Sequence, residues 1–140
     1  MSKKKYADNN PKTLIWSRKV NLFTVPPVSI IQEATAMQNG ASKYGPYNWR
    51  GMGSTVAASI YLSAALRHLL SYLDGEDYAS DSKVHHLAHA KACMGIILDA
   101  TSTGNLIDDR PSPGYASELI DSLIEHPVTS RRRRKKASSK

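Results

Sequence analysis

Residues 54–75 read STVAASIYLSAALRHLLSYLDG. Val56, Ile60, Leu66, Leu69 and Leu73 fall with helical spacing, and Leu62, Leu70 and Tyr72 widen the stripe they make. Ser54 is a residue type that caps the free amides of a first turn. Gly75 suits the left-handed conformation just past a last turn. The stretch therefore predicts an amphipathic helix from Ser54 to Asp74, and that helix sets the fold class.

The segments on either side read the same way. Pro26 and Pro27 suit the lead-in and first turn of a helix. Val28, Ile31, Ala34, Met37 and Ala41 continue it to about Lys43, where Gly40, Gly45 and Pro46 end it. Downstream, Asp81 or Ser82 can cap a helix that runs to about Ala100, with Val84, Leu87, Ile96, Ile97 and Leu98 on its apolar surface and Gly104 as its stop. A last short helix is expected from Tyr115 to Ile124. No hairpin signal and no alternating strand stands out. The expected fold is all-α, a compact bundle of three to four main helices spanning residues 14–126. Residues 1–13 read as a flexible N-terminal segment. Residues 127–140, without an apolar residue beyond Ala137 in SRRRRKKASSK, read as a disordered basic tail.

The 140 residues suffice for one domain with tails, and 41% hydrophobic content supports a core. Cys93 is the single cysteine, which excludes an internal disulfide and fits a reducing, cytoplasmic setting. No run of about 18 apolar residues marks a membrane span, and MSKKKYADNN lacks the apolar run of a signal peptide. The net charge of +7 is concentrated at the ends. Three lysines lie at residues 3–5 and seven Lys or Arg at 131–140, leaving nine basic residues against twelve acidic ones. The domain is acidic, so a nucleic-acid face on its folded part is not indicated. RRRRKK, residues 131–136, allows at most weak, salt-sensitive contact with a polyanion.

The densest chemistry lies in DGEDYASDSKVHHLAH, residues 74–89. Asp74, Glu76, Asp77 and Asp81 precede His85, His86 and His89. On a helix, residues three and four apart face one way, so these imidazoles can pair. Carboxylates and imidazoles together suit a divalent cation, which also relieves carboxylate crowding. An acidic capping loop reads the same residues equally well, because Asp and Ser favour helix N-termini. The spacing matches no zinc pattern. Glu33 sits among apolar neighbours, either facing solvent or held inside. Arg67 interrupts an apolar run and can meet a phosphate or pair with an acid.

GASKYGPYNWR, residues 40–50, is rich in aromatics and cations for a loop. Lys43 and Arg50 could meet phosphates, Tyr44, Tyr47 or Trp49 could stack on a base, and Asn48 could bond a base edge or sugar. Alternatively Tyr44 and Trp49 cap the core and the glycines permit the turn. No phosphate-loop motif occurs.

The order Pro-Pro, GASKYGPYNWR, RHLLSYLDGED, DSKVHHLAHAKACMGIILDA and GNLIDDRP resembles the phage-associated family named for the N-terminal domain of dATP/dGTP diphosphohydrolases, from about Pro11 to Pro111. The resemblance implies an all-α, MazG-like nucleotide pyrophosphohydrolase that cuts a purine dNTP to the monophosphate and pyrophosphate with Mg²⁺ or Mn²⁺, acting in the host cytoplasm as a homo-oligomer. It implies Glu33, Asp81 and His86 as catalytic groups. Glu33, Glu76, Asp77, Asp81 and His89 are the implied metal ligands, and Lys43, Tyr44, Asn48, Trp49 and Arg67 the implied substrate contacts. The chain departs from MazG-like enzymes in lacking clean ExxE and ExxD pairs: Ile30 and Ala36 flank Glu33 where acids would stand. The rival expectation is a non-enzymatic phage accessory protein that binds nucleotide or nucleic acid.

Overall fold

The computed structural model describes residues 9–16 and 18–123. The expectations for residues 1–8 and for the basic tail at 127–140 lie outside them. The chain divides into two units, one up to Asp109 and one from Arg110 onward.

In the first unit, a short helix α1 (Pro11–Trp16) precedes a single 3₁₀ turn at Leu22–Thr24, where the Asn21 side chain accepts from the Phe23 amide. Helix α2 (Pro27–Tyr44) follows the two prolines: Pro26 is extended, and Pro27 occupies a position whose missing N–H costs nothing. It ends at Gly45, whose φ of 85° a side chain would resist. Helices α3 (Ala58–Leu73) and α4 (His86–Thr103) complete the unit. The second unit contains the short helix α5 (Ala116–Leu123). The all-α reading holds.

Two boundaries differ from the sequence reading. Helix α3 starts at Ala58 rather than behind Ser54, because Val56–Ala57 form a short strand β1 that pairs in parallel with β2 (Leu106–Ile107). The Val56 amide donates to the Asn105 carbonyl at 3.0 Å, and Val56 is completely buried. A two-residue strand is too short to show alternation, so periodicity could not reveal it. Helix α4 starts at His86 rather than near Asp81 or Ser82. Residues 78–85 instead form a tight reversal closed by a bridge between Tyr78 and His85, with Lys83 at a φ of 58°. The cap is His85, whose Nδ1 accepts from the Leu87 amide at 3.1 Å.

Helix α4 packs against both α2 and α3, while α2 and α3 make few contacts with each other. The seams are alanine. Ala36 of α2 meets Ala88 and Ala92 of α4, flanked by Met37 and Val84. Ala58 and Ala65 of α3 and Ala90 and Ala100 of α4 are also buried. Small residues let helix axes approach closely, at the cost of little apolar area per contact. A larger side chain has no room there. Ala92→Leu is expected to lower stability by about 1–3 kcal/mol through overpacking, measured by urea unfolding.

Candidate functional site

Four of the chain's five histidines gather where α3 and the start of α4 meet the 74–85 segment. His68 of α3 approaches His86 with the two Nδ1 atoms 2.9 Å apart. One proton can lie between them, so one ring donates and the other accepts. His86 is buried at 5% exposure. Its Nε2 faces the Glu76 carboxylate at 3.4 Å, within electrostatic reach but without hydrogen-bond geometry. A proton on Nε2 suits that carboxylate and leaves the His86 Nδ1 lone pair to accept from His68. His89 stacks on His68, with ring centroids 4.5 Å apart, and its Nε2 lies 2.8 Å from the Ser82 hydroxyl. Asp81 accepts from the Ser82 amide at 2.7 Å, which holds its carboxyl below the usual range.

Burial lowers the pKa of both His68 and His89. Neighbouring imidazoles add to the effect for both rings, Arg67 adds for His68 and Lys43 for His89, while Asp81 opposes it. Burial therefore favours the neutral form of both rings. Lys43 lies close enough to lower Asp81 as well as His89. Two cations and three imidazoles thus share one neighbourhood.

A second group forms around a cavity of about 470 Å³ bordered by Glu33, Met37, Tyr47, Trp49, Arg50 and Asp99, among others. Asp99 of α4 organises its rim. It accepts from Trp49 Nε1 at 2.6 Å, from Arg50 Nε at 2.7 Å and from an Arg50 terminal nitrogen at 2.5 Å. Arg50 and Trp49 hold its carboxyl down at about 2. The Arg50 guanidinium also lies 4.8 Å from the Tyr47 ring centre, a cation–π distance. The Asn105 amide ties down the Trp49 carbonyl at 3.0 Å. Glu33 pairs with Lys91 at 3.1 Å, and Lys91 also donates to Ser29. Gly95 makes room for Glu33: a Cβ there would stand 2.8 Å from Oε1.

The expected site residues are thus divided. Asp81, His86, His89 and Glu76 meet at the imidazole cluster, with Lys43 beside them. Glu33 and Trp49 belong to the cavity. The Asp77 carbonyl accepts from the His86 amide at 2.9 Å, a backbone role. Arg67 donates to Ser63 at 3.0 Å and influences His68 and Cys93. Asn48 opens a 3₁₀ turn, Asn48–Arg50, that presents Trp49 and Arg50 to Asp99. Tyr44 lies near enough to Tyr61 to raise its pKa, behind burial and Cys93. Among the described residues no three His, Cys, Asp or Glu side chains are grouped to hold a metal ion. Sequence reasoning passed over His68, Lys91 and Asp99. Their one signal was a polar residue inside an apolar helical run.

Two outcomes follow from these contacts. His68 and His89 have folded pKa values below the unfolded value of about 6.5, so the unfolded chain binds protons first as pH falls. The melting temperature should be level above about pH 7 and fall as pH drops from about 6.5 through the folded pKa values. His68→Gln should flatten that fall in a melting series across pH. Asp99→Ala frees the Trp49 indole, and the tryptophan emission should move to longer wavelength while helical circular dichroism is retained.

The family model for the N-terminal domain of dATP/dGTP diphosphohydrolases matches residues 9–110. A dATP/dGTP diphosphohydrolase of Salmonella phage PMBT28 is 28% identical over 92 residues, covering 66% of this chain and 30% of the relative. The chain therefore spans about a third of that relative's length. No solved structure matches the chain. The aligned segment contains both the imidazole cluster and the Asp99-anchored loop, and the chain belongs to the dATP/dGTP diphosphohydrolase N-terminal family.

Proposed function

We propose that this chain hydrolyses purine deoxynucleoside triphosphates, dATP and dGTP, to the monophosphate and pyrophosphate. The observation that carries the reading is the neutral imidazole cluster flanked by Lys43 and Arg67, inside the segment that matches the family. Water attacks the α-phosphorus, and the bond from that phosphorus to the oxygen bridging the β-phosphate breaks. The water oxygen stays on the monophosphate. His89 takes the water proton as general base, a role that needs a neutral ring at working pH. Ser82 and the stacked His68 hold His89 in place, and the His68–His86–Glu76 chain orients that stack. Lys43 and Arg67 offset charge on the phosphates. The Tyr47–Trp49–Arg50 turn offers aromatic faces for a base, and Asp99 keeps it ordered.

Mg²⁺ prefers oxygen ligands and is commonly held by one or two carboxylates together with substrate phosphates. Glu33 is tied to Lys91, and Glu76 faces His86. Among the described residues no three ligands are grouped to hold the ion by themselves, so Asp81 and Glu76 would hold it only together with the substrate phosphates. The divalent ion, Mg²⁺ or Mn²⁺, enters as part of the metal–dNTP substrate, with the exposed carboxylates of Asp81 and Glu76 nearest the cluster.

The test is pyrophosphate release from each dNTP, with and without Mg²⁺ or Mn²⁺. Release from dATP and dGTP is expected, with His89→Gln lowering kcat by about 10²–10⁴-fold. No release from any dNTP under any of these conditions would sink the enzymatic reading. Binding without turnover would mark a nucleotide-binding accessory protein instead.

A further inference from the structure

Residues of α2, of the 46–50 loop and of α4 border the cavity of about 470 Å³, and Met37, Tyr47 and Trp49 give it apolar and aromatic walls. Glu33, Gln38, Arg50 and Asp99 are its other polar side chains. Two of these are engaged with each other: Asp99 accepts from Arg50 twice, and from Trp49 as well. The Gln38 amide carries both a donor and an acceptor, so by itself it does not choose between ligands that offer one or the other.

Glu33 does choose. Lys91 pairs with its Oε2 at 3.1 Å, and Lys91 is itself held by the Ser29 carbonyl at 2.9 Å and the Ser29 hydroxyl at 2.6 Å. The carboxylate is thereby fixed in place, with its side chain only 28% exposed. Among the described residues no donor is paired with Oε1. Gly95 keeps the space beside that oxygen open, since a Cβ there would stand 2.8 Å from it. A carboxylate only accepts, and each oxygen has two lone pairs, so Oε2 can accept again beside Lys91. The cavity thus offers two adjacent acceptors next to aromatic faces.

The planar ligand that matches carries two adjacent N–H donors on one edge. Guanine has them, at N1 and at its 2-amino group. Adenine has one donor, its 6-amino group, beside an N1 lone pair that would face a carboxylate oxygen. Cytosine and thymine also lack two adjacent donors. Repulsion of the wrong partner contributes to specificity as much as attraction to the right one. We propose that Glu33 determines base specificity by accepting from the N1–H and 2-amino edge of guanine in this cavity, so that dGTP is preferred to dATP. The ligand class rests on the purine dNTP reading above, but base binding can be measured apart from turnover.

Calorimetric titration of the full chain with dGMP, dIMP and dAMP tests it. dIMP keeps the N1–H and 6-oxygen of guanine and lacks the 2-amino group. dGMP should bind about ten- to a hundredfold more tightly than either, as expected for one hydrogen bond to a charged group. Glu33→Gln should remove most of that preference while the helical circular dichroism is retained. Equal affinity of the wild type for dGMP and dAMP, or for dGMP and dIMP, would overturn the proposal, and so would failure of all three to bind. A helical Glu33→Gln variant with the full dGMP preference would do the same. Should Glu33→Gln fail to fold, Gly95→Ala decides, because it crowds Oε1 while gaining helix propensity. Its dGMP preference should fall, and persistence of that preference would count against the role of Glu33. A dGMP preference without pyrophosphate release from any dNTP would keep the base site and refute the enzymatic reading. Release from dATP and dGTP at equal kcat/KM, with no dGMP preference, would do the reverse.

Discussion

Alanine at the helix seams is the constraint on which the rest of this structure depends. Ala36 against Ala88 and Ala92 brings α2 close to α4, and Ala58, Ala65, Ala90 and Ala100 accompany the contact of α4 with α3. Close backbones shorten the reach that polar side chains must span. Glu33 can then pair with Lys91, helped by the missing side chain at Gly95, and His68 can meet His86 ring to ring. Alanine gains little hydrophobic free energy per contact. The same choice that builds the sites leaves the leucines of α3 uncovered.

The two polar groups solve different electrostatic problems. At the imidazole cluster, burial keeps His68 and His89 neutral, and the network is completed by shared protons rather than by charge. At the cavity rim, full charges meet at a half-buried carboxylate: Asp99 stays ionised to about pH 2 because Arg50 and Trp49 both donate to it. Neutral, partly buried rings can exchange protons near pH 7, whereas a charged clamp fixes geometry over a wide pH range. Proton transfer therefore suits the first group and the holding of a loop suits the second.

Much of this was legible from residue patterns. The α2 boundaries fell within a residue of Pro27 and Tyr44, since prolines at the start and Gly45 at the end act locally. Asp81, His86 and His89 were singled out together, and they do converge. The boundary of α4 was misread because Asp81 and Ser82 have the chemistry of caps, yet here Asp81 binds the next amide inside a reversal and His85 does the capping. The family resemblance grouped Glu33 with the acidic segment, whereas in the fold it pairs with Lys91. No pattern within α2 could announce a partner on α4.

By itself, the amino-acid sequence determined what is local: helical periods, their stops, the single cysteine, the acidic middle between basic ends, and motifs dense enough to point to the family. Tertiary structure alone decided which distant residues meet. Trp49 and Asp99 lie 50 positions apart and His68 and His86 18 apart, and Val56 pairs with Leu106 across two helices. These contacts depend on how closely α4 can approach its neighbours. That distance follows from the small side chains at both surfaces together, and it appears in no single stretch of chain.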